Sequence, residues 1–334
     1  MIVNRKTEYK TWFFLFIIIS SCFINISCNT NNEGEQLNVV SHNYTFETPQ
    51  FNEDSALFFI NKQLKIGTGT SQTKTNSSND EWICEKLKSY GFSVTHQQAR
   101  ILTDEKKVLT FKNIIGAIKP KEFSRILLCT HWNYQLQGFQ KNTGCNLLEQ
   151  RQWNGIIGVG ILLEIARNLM IKNPSIGVDI VLLGADEDIN SHDSSEGYFG
   201  LSARYWAKNP HKEGYQARIG VLLDFAGYPE ARFRHEGFSK QYAPNALAEI
   251  WWRAFCCGYG SFFINEDGGR FFNDHVYINE SLGIPTIVIS EKESEVSLEH
   301  EGVKEISNEE TKHIDKKTLR AVGQTLLTVI FENQ

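Results

Sequence analysis

The sequence predicts an α/β protein, a three-layer αβα sandwich around a central, mostly parallel mixed sheet. Short runs of β-branched and aliphatic residues, Val178–Leu183, Arg218–Leu223 and Ile284–Ile289, have the character of strands covered on both faces. Stretches with helical spacing alternate with them, which is the order that builds parallel sheets. Polar clusters follow the strands, and ligands in such sheets sit beyond the carboxyl ends of strands.

Taken in order, helical patterns occupy Ser55–Leu64 and Asp80–Tyr90, and the Gly/Ser/Thr/Asn-rich stretch from Gly67 to Asn79 between them reads as a loop. Val108–Lys119 and Ser124–Trp132 are rich in Val, Ile, Leu and Phe and read as strands. From Asn154 to Ile171, Ile156, Val159, Leu163, Ala166 and Met170 recur at helical spacing, with Glu164 and Arg167 on another face. Further helical patterns fall at Gly200–Ala207, Ala246–Cys257 and Lys316–Phe331, and the acidic turn Glu266-Asp267-Gly268-Gly269 reads as a hairpin or loop. There is no internal repeat and no second composition regime. The expected organisation is a leader over 1–28, a polar linker over 29–50 and one domain over 51–334.

Within the leader, Arg5, Lys6 and Lys10 precede an apolar run, Trp12 to Ile19, which continues less purely to Ile26. The run falls short of the roughly 20 apolar residues that cross a bilayer, so it reads as a secretory segment. Cys22 and Cys28 each follow small or aliphatic residues, a pattern that resembles the lipobox of bacterial lipoproteins; Ile19 suits it for Cys22, and the polar Asn29-Thr30-Asn31-Asn32 favours Cys28. The expectation is an exported lipoprotein, touching a membrane only through its lipid anchor.

Composition excludes other classes. The 334 residues are 41% hydrophobic with a net charge of −5, and removing the leader makes the chain more acidic, so no nucleic-acid partner is expected. Cys84, Cys129, Cys145, Cys256 and Cys257 lack CxxC spacing and form no zinc-finger framework. One or two disulfides can form in an exported chain, but the spacing does not pair them. Cys256 and Cys257 end an apolar stretch and are expected to be buried in a helix.

The chemistry-bearing residues cluster after strands. Thr130-His131-Trp132-Asn133 follows Ile126–Cys129, Gly184-Ala185-Asp186-Glu187-Asp188 follows Val178–Leu183, and Asp224 ends Gly220–Leu223. Asn273-Asp274-His275 precedes the passage to Gly283-Ile284-Pro285. With Asn154-Gly155 opening a helix, Tyr205-Trp206-Ala207-Lys208-Asn209-Pro210, Glu236-Gly237-Phe238-Ser239 and Asp315-Lys316-Lys317-Thr318-Leu319, the ordered set resembles the glutaminyl cyclase branch of the zinc aminopeptidase superfamily from roughly Phe51 onward.

The resemblance implies conversion of an N-terminal glutamine into pyroglutamate with release of ammonia. It implies one zinc ion that polarises the amide carbonyl, and an acid that shuttles a proton from the α-amine to the leaving ammonia. By position, zinc ligands fall at Asn154 and Glu187 and the shuttle at Asp186. Asp224 and Asp274 match two buried acids that form a hydrogen-bonded pair beside the shuttle. The third ligand is His300, or Glu305 when counted back from Ile314-Asp315. His131 and Asn133 match a metal-serving His-x-Asp of related aminopeptidases. Trp132 and Trp153 lie beside the polar groups, and Tyr198 or Phe199 stands where a substrate-walling Trp is usual; each aromatic also suits plain packing.

Departures from the family pattern matter chemically. Asn stands at 133 and 154 where the family has Asp, and the shuttle is shortened to Asp186. An amide supplies a neutral oxygen and removes one negative charge, so zinc affinity falls. Three readings follow: a glutaminyl cyclase acting on peptide N-termini, a metal-poor relative that binds peptide N-termini or another amine-bearing ligand without turnover, and a metallo-aminopeptidase. The last is weakest, because the residue that should bridge two metals is Asn154.

Overall fold

The computed structural model describes residues 48–66, 74–102, 106, 108–133, 147–184, 200–225, 227–291, 311 and 314–332. The leader and most of the linker lie outside them, as does Cys145. Element order is α1 (Glu53–Ile66), α2 (Lys74–Ser89), β1 (Ser93–Leu102), β2 (Val108–Ile118), β3 (Arg125–Asn133), α3 (Leu147–Ile171), β4 (Gly177–Gly184) and α4 (Leu201–Lys208). There follow β5 (Ile219–Asp224), β6 (Phe233–His235), α5 (Gly237–Tyr242), α6 (Pro244–Cys256), β7 (Phe263–Asp267), α7 (Asp274–Leu282), β8 (Thr286–Ser290) and α8 (Lys316–Phe331).

Six strands form one sheet in the order β1-β2-β4-β3-β5-β8. β3, β4, β5 and β8 run parallel, with Ile126 opposite both Val178 and Ile219, and β1 and β2 are antiparallel additions. Alternate residues of these strands point to opposite faces, and each face has its own core. Ile126, Leu128, Val178, Ile180, Val221, Leu223, Ile287 and Ile289 join buried residues of α1, α2, α3, α6 and α8. Leu127, Cys129, Val181, Leu183, Leu222 and Val288 join those of α4 and α7. The result is the expected mixed, mostly parallel sheet between helical layers.

α3 is the central helix. Its segment Asn154–Ile171 is long and apolar enough to cross a membrane, but 83% of it is buried inside the protein, as in a core helix. Close approach to β3 requires Gly158, where a Cβ would stand 2.0 Å from Thr130 Oγ1. Glu164 on the same helix is buried and is neutralised by Arg167 through two bonds of 2.7 Å.

Four local expectations are corrected. Helix α2 begins at Lys74, inside the stretch read as a loop, because Ile83, Cys84 and Leu87 give it a buried face that outweighs its poor formers. β1 appears where no strand was expected, as a half-exposed edge. Of the turn read as a hairpin or loop, Gly268 and Gly269 are loop, but Glu266 and Asp267 end β7, which pairs with β6 in parallel and so forms no hairpin with it. Cys256 is exposed and Cys257 half-buried, because α6 turns its Leu247, Ile250 and Ala254 face inward; all four described thiols, Cys84, Cys129, Cys256 and Cys257, are free.

Candidate active-site cleft

The topology creates a crevice at the carboxyl end of β3. The chain runs from β3 to β4 on one side and then to β5 on the other, which is the switch point where ligands of open α/β sheets bind. His131 lies near the end of β3, Asn133 ends it opposite Gly184 of β4, and Asp224 ends β5.

Asp224 is 3% exposed, and both its oxygens accept amide hydrogens. Asn154 Nδ2 donates to Oδ1 and Asn273 Nδ2 donates to Oδ2, each at 2.7 Å. One carboxylate thus ties β5 to α3 and to the start of α7. Asn273 caps α7, with its Oδ1 accepting the Asp274 N–H at 2.8 Å. Asp274 follows in the first turn, where the helix dipole favours an anion, and its Oδ2 lies 2.6 Å from His131 Nε2. Each acid thus has partners of its own, Asn154 and Asn273 for Asp224 and His131 for Asp274.

Among the described residues, two buried oxygens of the cleft have no hydrogen-bond partner, Asn154 Oδ1 and Asp274 Oδ1. Asp274 Oδ1 faces Gly200, where a Cβ would come within 2.4 Å, and Gly200 adopts a left-handed φ of +66° before α4. Glu236 is the N-cap of α5. It accepts the Phe238 and Ser239 N–H groups at 2.7 Å each and lies 3.0 Å from His275 Nε2. Burial pushes the Glu236 carboxyl up, but His275 and these N–H groups outweigh it and hold it below the usual carboxylate range.

Trp132 is packed in the larger core, and its indole N–H donates to the Lys112 carbonyl at 2.8 Å. Asp186, Glu187, Tyr198, Phe199 and His300 lie outside the described residues, as does Glu305. Asn273 was not singled out from the sequence as a site residue, although it stood in the Asn273-Asp274-His275 motif. Its role depends on α7 bringing it over the end of β5.

Residues 113–330 match Peptidase family M28. The chain belongs to this family. Among solved structures, this M28 chain is similar to Porphyromonas gingivalis glutaminyl cyclase, at 34% identity and a TM-score of 0.74 over 85% of this chain and 99% of that one. It is similar to Bacteroides thetaiotaomicron glutaminyl cyclase bound to N-acetylhistamine, at 34% identity and 0.73 over 86% and 100%. A Zn-dependent exopeptidase from Parabacteroides distasonis gives 31% identity and 0.70 over 85% and 99%. No curated protein matches the chain.

The family thus includes zinc-dependent members, and residue 154 tests how well this chain fits the ion. Zinc in proteins takes thiolate, imidazole or carboxylate ligands. Asn154 offers a neutral carbonyl oxygen, its NH₂ group is held by Asp224, and the Asp224 charge is already spread over two amide donors. Residue 154 therefore brings no anionic donor to a zinc ion, which does not fit the carboxylate ligand expected there.

Proposed function

We propose that this M28 protein is glutaminyl cyclase-like and that its cleft takes the N-terminus of a peptide. The observation that carries the reading is similarity at 34% identity to two glutaminyl cyclases over nearly their whole length. The buried acids Asp224 and Asp274 at the switch point support it, because anionic walls complement an α-ammonium group. The secretory and lipobox patterns of residues 1–28 support an exported, lipid-anchored chain with access to peptides outside the cytoplasm.

One specific observation favours binding without turnover. The Asn154 amide hydrogen-bonds Asp224 at 2.7 Å, so a neutral group already satisfies the acid from the direction in which a cation is implied. The cleft then holds the peptide amine without a firmly bound metal to polarise the glutamine carbonyl.

Purified mature protein is to be assayed for ammonia release from a Gln-initiated peptide, with and without added zinc, and for heat stabilisation by that peptide. Stabilisation without ammonia release is the expected result. Turnover would replace the binding reading by active cyclisation, and no stabilisation and no turnover would overturn both.

A further inference from the structure

Away from the cleft, at the β1 edge of the sheet, three side chains of different type converge. Asp80 and Cys84 stand one turn apart on α2, and His96 projects from β1, the next element in the chain. Cys84 Sγ is 3.3 Å from Asp80 Oδ1, His96 Nε2 is 3.0 Å from the same Oδ1, and Sγ is 3.2 Å from Nε2. Asp80 and Cys84 are buried, while His96 opens to solvent.

The pattern differs from a nucleophile relay. A Cys-His-Asp relay uses the two ring nitrogens separately, one toward sulfur and one toward the carboxylate. Here both partners approach the same Nε2. Three contacts among Sγ, Nε2 and Oδ1 also exceed the hydrogens at hand, since the thiol and Nε2–H supply at most two. One cation at the middle of the triangle engages all three atoms at once.

We propose that Asp80, Cys84 and His96 bind a zinc ion that clasps α2 to the edge strand. Tetrahedral zinc with bonds of about 2.0–2.3 Å sets its ligands roughly 3.4–3.6 Å apart, so the triangle needs to open by only a few tenths of an ångström. The donors are thiolate, imidazole and carboxylate, the set that residue 154 lacks. Lys112 pairs with the other carboxylate oxygen of Asp80, leaving Oδ1 for the ion. The exposed side of His96 provides the entry path and room for a water as fourth ligand. As the metal–sulfur bond forms, the thiol proton passes to solvent.

The site is independent of the peptide-binding reading, and its test does not use activity. Chelator-stripped full-length protein is titrated with cobalt(II), which gives a near-ultraviolet thiolate charge-transfer band only when sulfur is a ligand. Zinc affinity is then read by competition with a chromophoric chelator. The expected result is one band-forming site, lost in Cys84→Ser, with zinc affinity at least about 10-fold weaker in His96→Ala. Because His96 is exposed, its variant keeps the test valid if Cys84→Ser fails to fold. No band in the unsubstituted protein, a band that survives Cys84→Ser, or unchanged zinc affinity in His96→Ala would overturn the proposal. Since Asn154 is not involved, Asn154→Ala leaves the band intact.

Discussion

Asn154 donates its side-chain amide to Asp224 across 2.7 Å, joining the central helix to the end of strand β5. The amide is the complement of the acid it faces, so the pair is stable without an ion. Asn154→Asp removes the donor from Asp224 Oδ1 and sets two buried carboxyls against each other. The expected cost is about 1–3 kcal/mol in metal-free buffer, from an acceptor left without its donor. In a Cys84→Ser background, which lacks the proposed clasp on α2, added zinc should recover that loss when Asn154→Asp is present and shift the protein far less when it is not, as read by thermal unfolding with and without the ion.

Asp274 and His131 form another contact of the cleft, at 2.6 Å between buried side chains. Asp274→Asn removes the charge from a charge-assisted bond and should cost about 1.5–3 kcal/mol in urea unfolding. Combined with His131→Ala, the double variant should lose less than the two single losses added, since residues in contact couple. Full additivity would show that the bond contributes nothing to stability.

The sheet was legible from residues such as Val178–Leu183 and Ile284–Ile289, because strands buried on both faces leave uninterrupted apolar runs. The edge strand β1 was not: His96, Gln97, Gln98 and Arg100 face partners and water at the margin, and such a strand has no apolar run to betray it. The strand-end positions of His131 and Asp224 could be read, since the chain order of a parallel sheet fixes which strand ends meet. The partners of Asp224 could not, because they depend on the rotation of α3 and α7 about their axes. His96 joins Asp80 and Cys84 only once β1 exists, so the second cluster was equally hidden.

At the amino-terminal end of the sheet, Arg125 makes two bonds of 2.6 Å to the fully buried Asp179. Arg125→Met leaves that carboxylate without its main cation and should cost about 3–5 kcal/mol in chemical denaturation. A cost under about 1 kcal/mol would mean that His211 and Tyr215 suffice as partners.

Acid stability follows from Asp179 and Glu236. Burial raises both carboxyls, but His211 and Arg125 for Asp179, and His275 and backbone N–H groups for Glu236, hold both below their usual values. A carboxyl depressed in the folded state binds fewer protons there than in the unfolded chain, so its stabilisation is present above the unfolded pKa of about 4. It is lost as pH falls through the lower folded value. Unfolding followed from pH 6 downward should therefore show stability falling below about pH 4, with a shallower fall in Asp179→Asn. An equal slope in that variant would remove Asp179 from the account.

Gly200 links backbone geometry to the cleft. Its φ of +66° is left-handed, and a Cβ there would come within 2.4 Å of Asp274 Oδ1. Gly200→Ala therefore meets two penalties, about 1–2 kcal/mol for the left-handed backbone and displacement of the Asp274 carboxylate. The backbone penalty alone lowers stability and leaves ligand affinity unchanged. Displacement of Asp274 also weakens binding of a Gln-initiated peptide, because the carboxylate that should face the α-ammonium moves with it. The expected outcome is both effects, separated by measuring unfolding and peptide affinity on the same preparation. Lower stability with unaltered affinity would place Asp274 outside the peptide site.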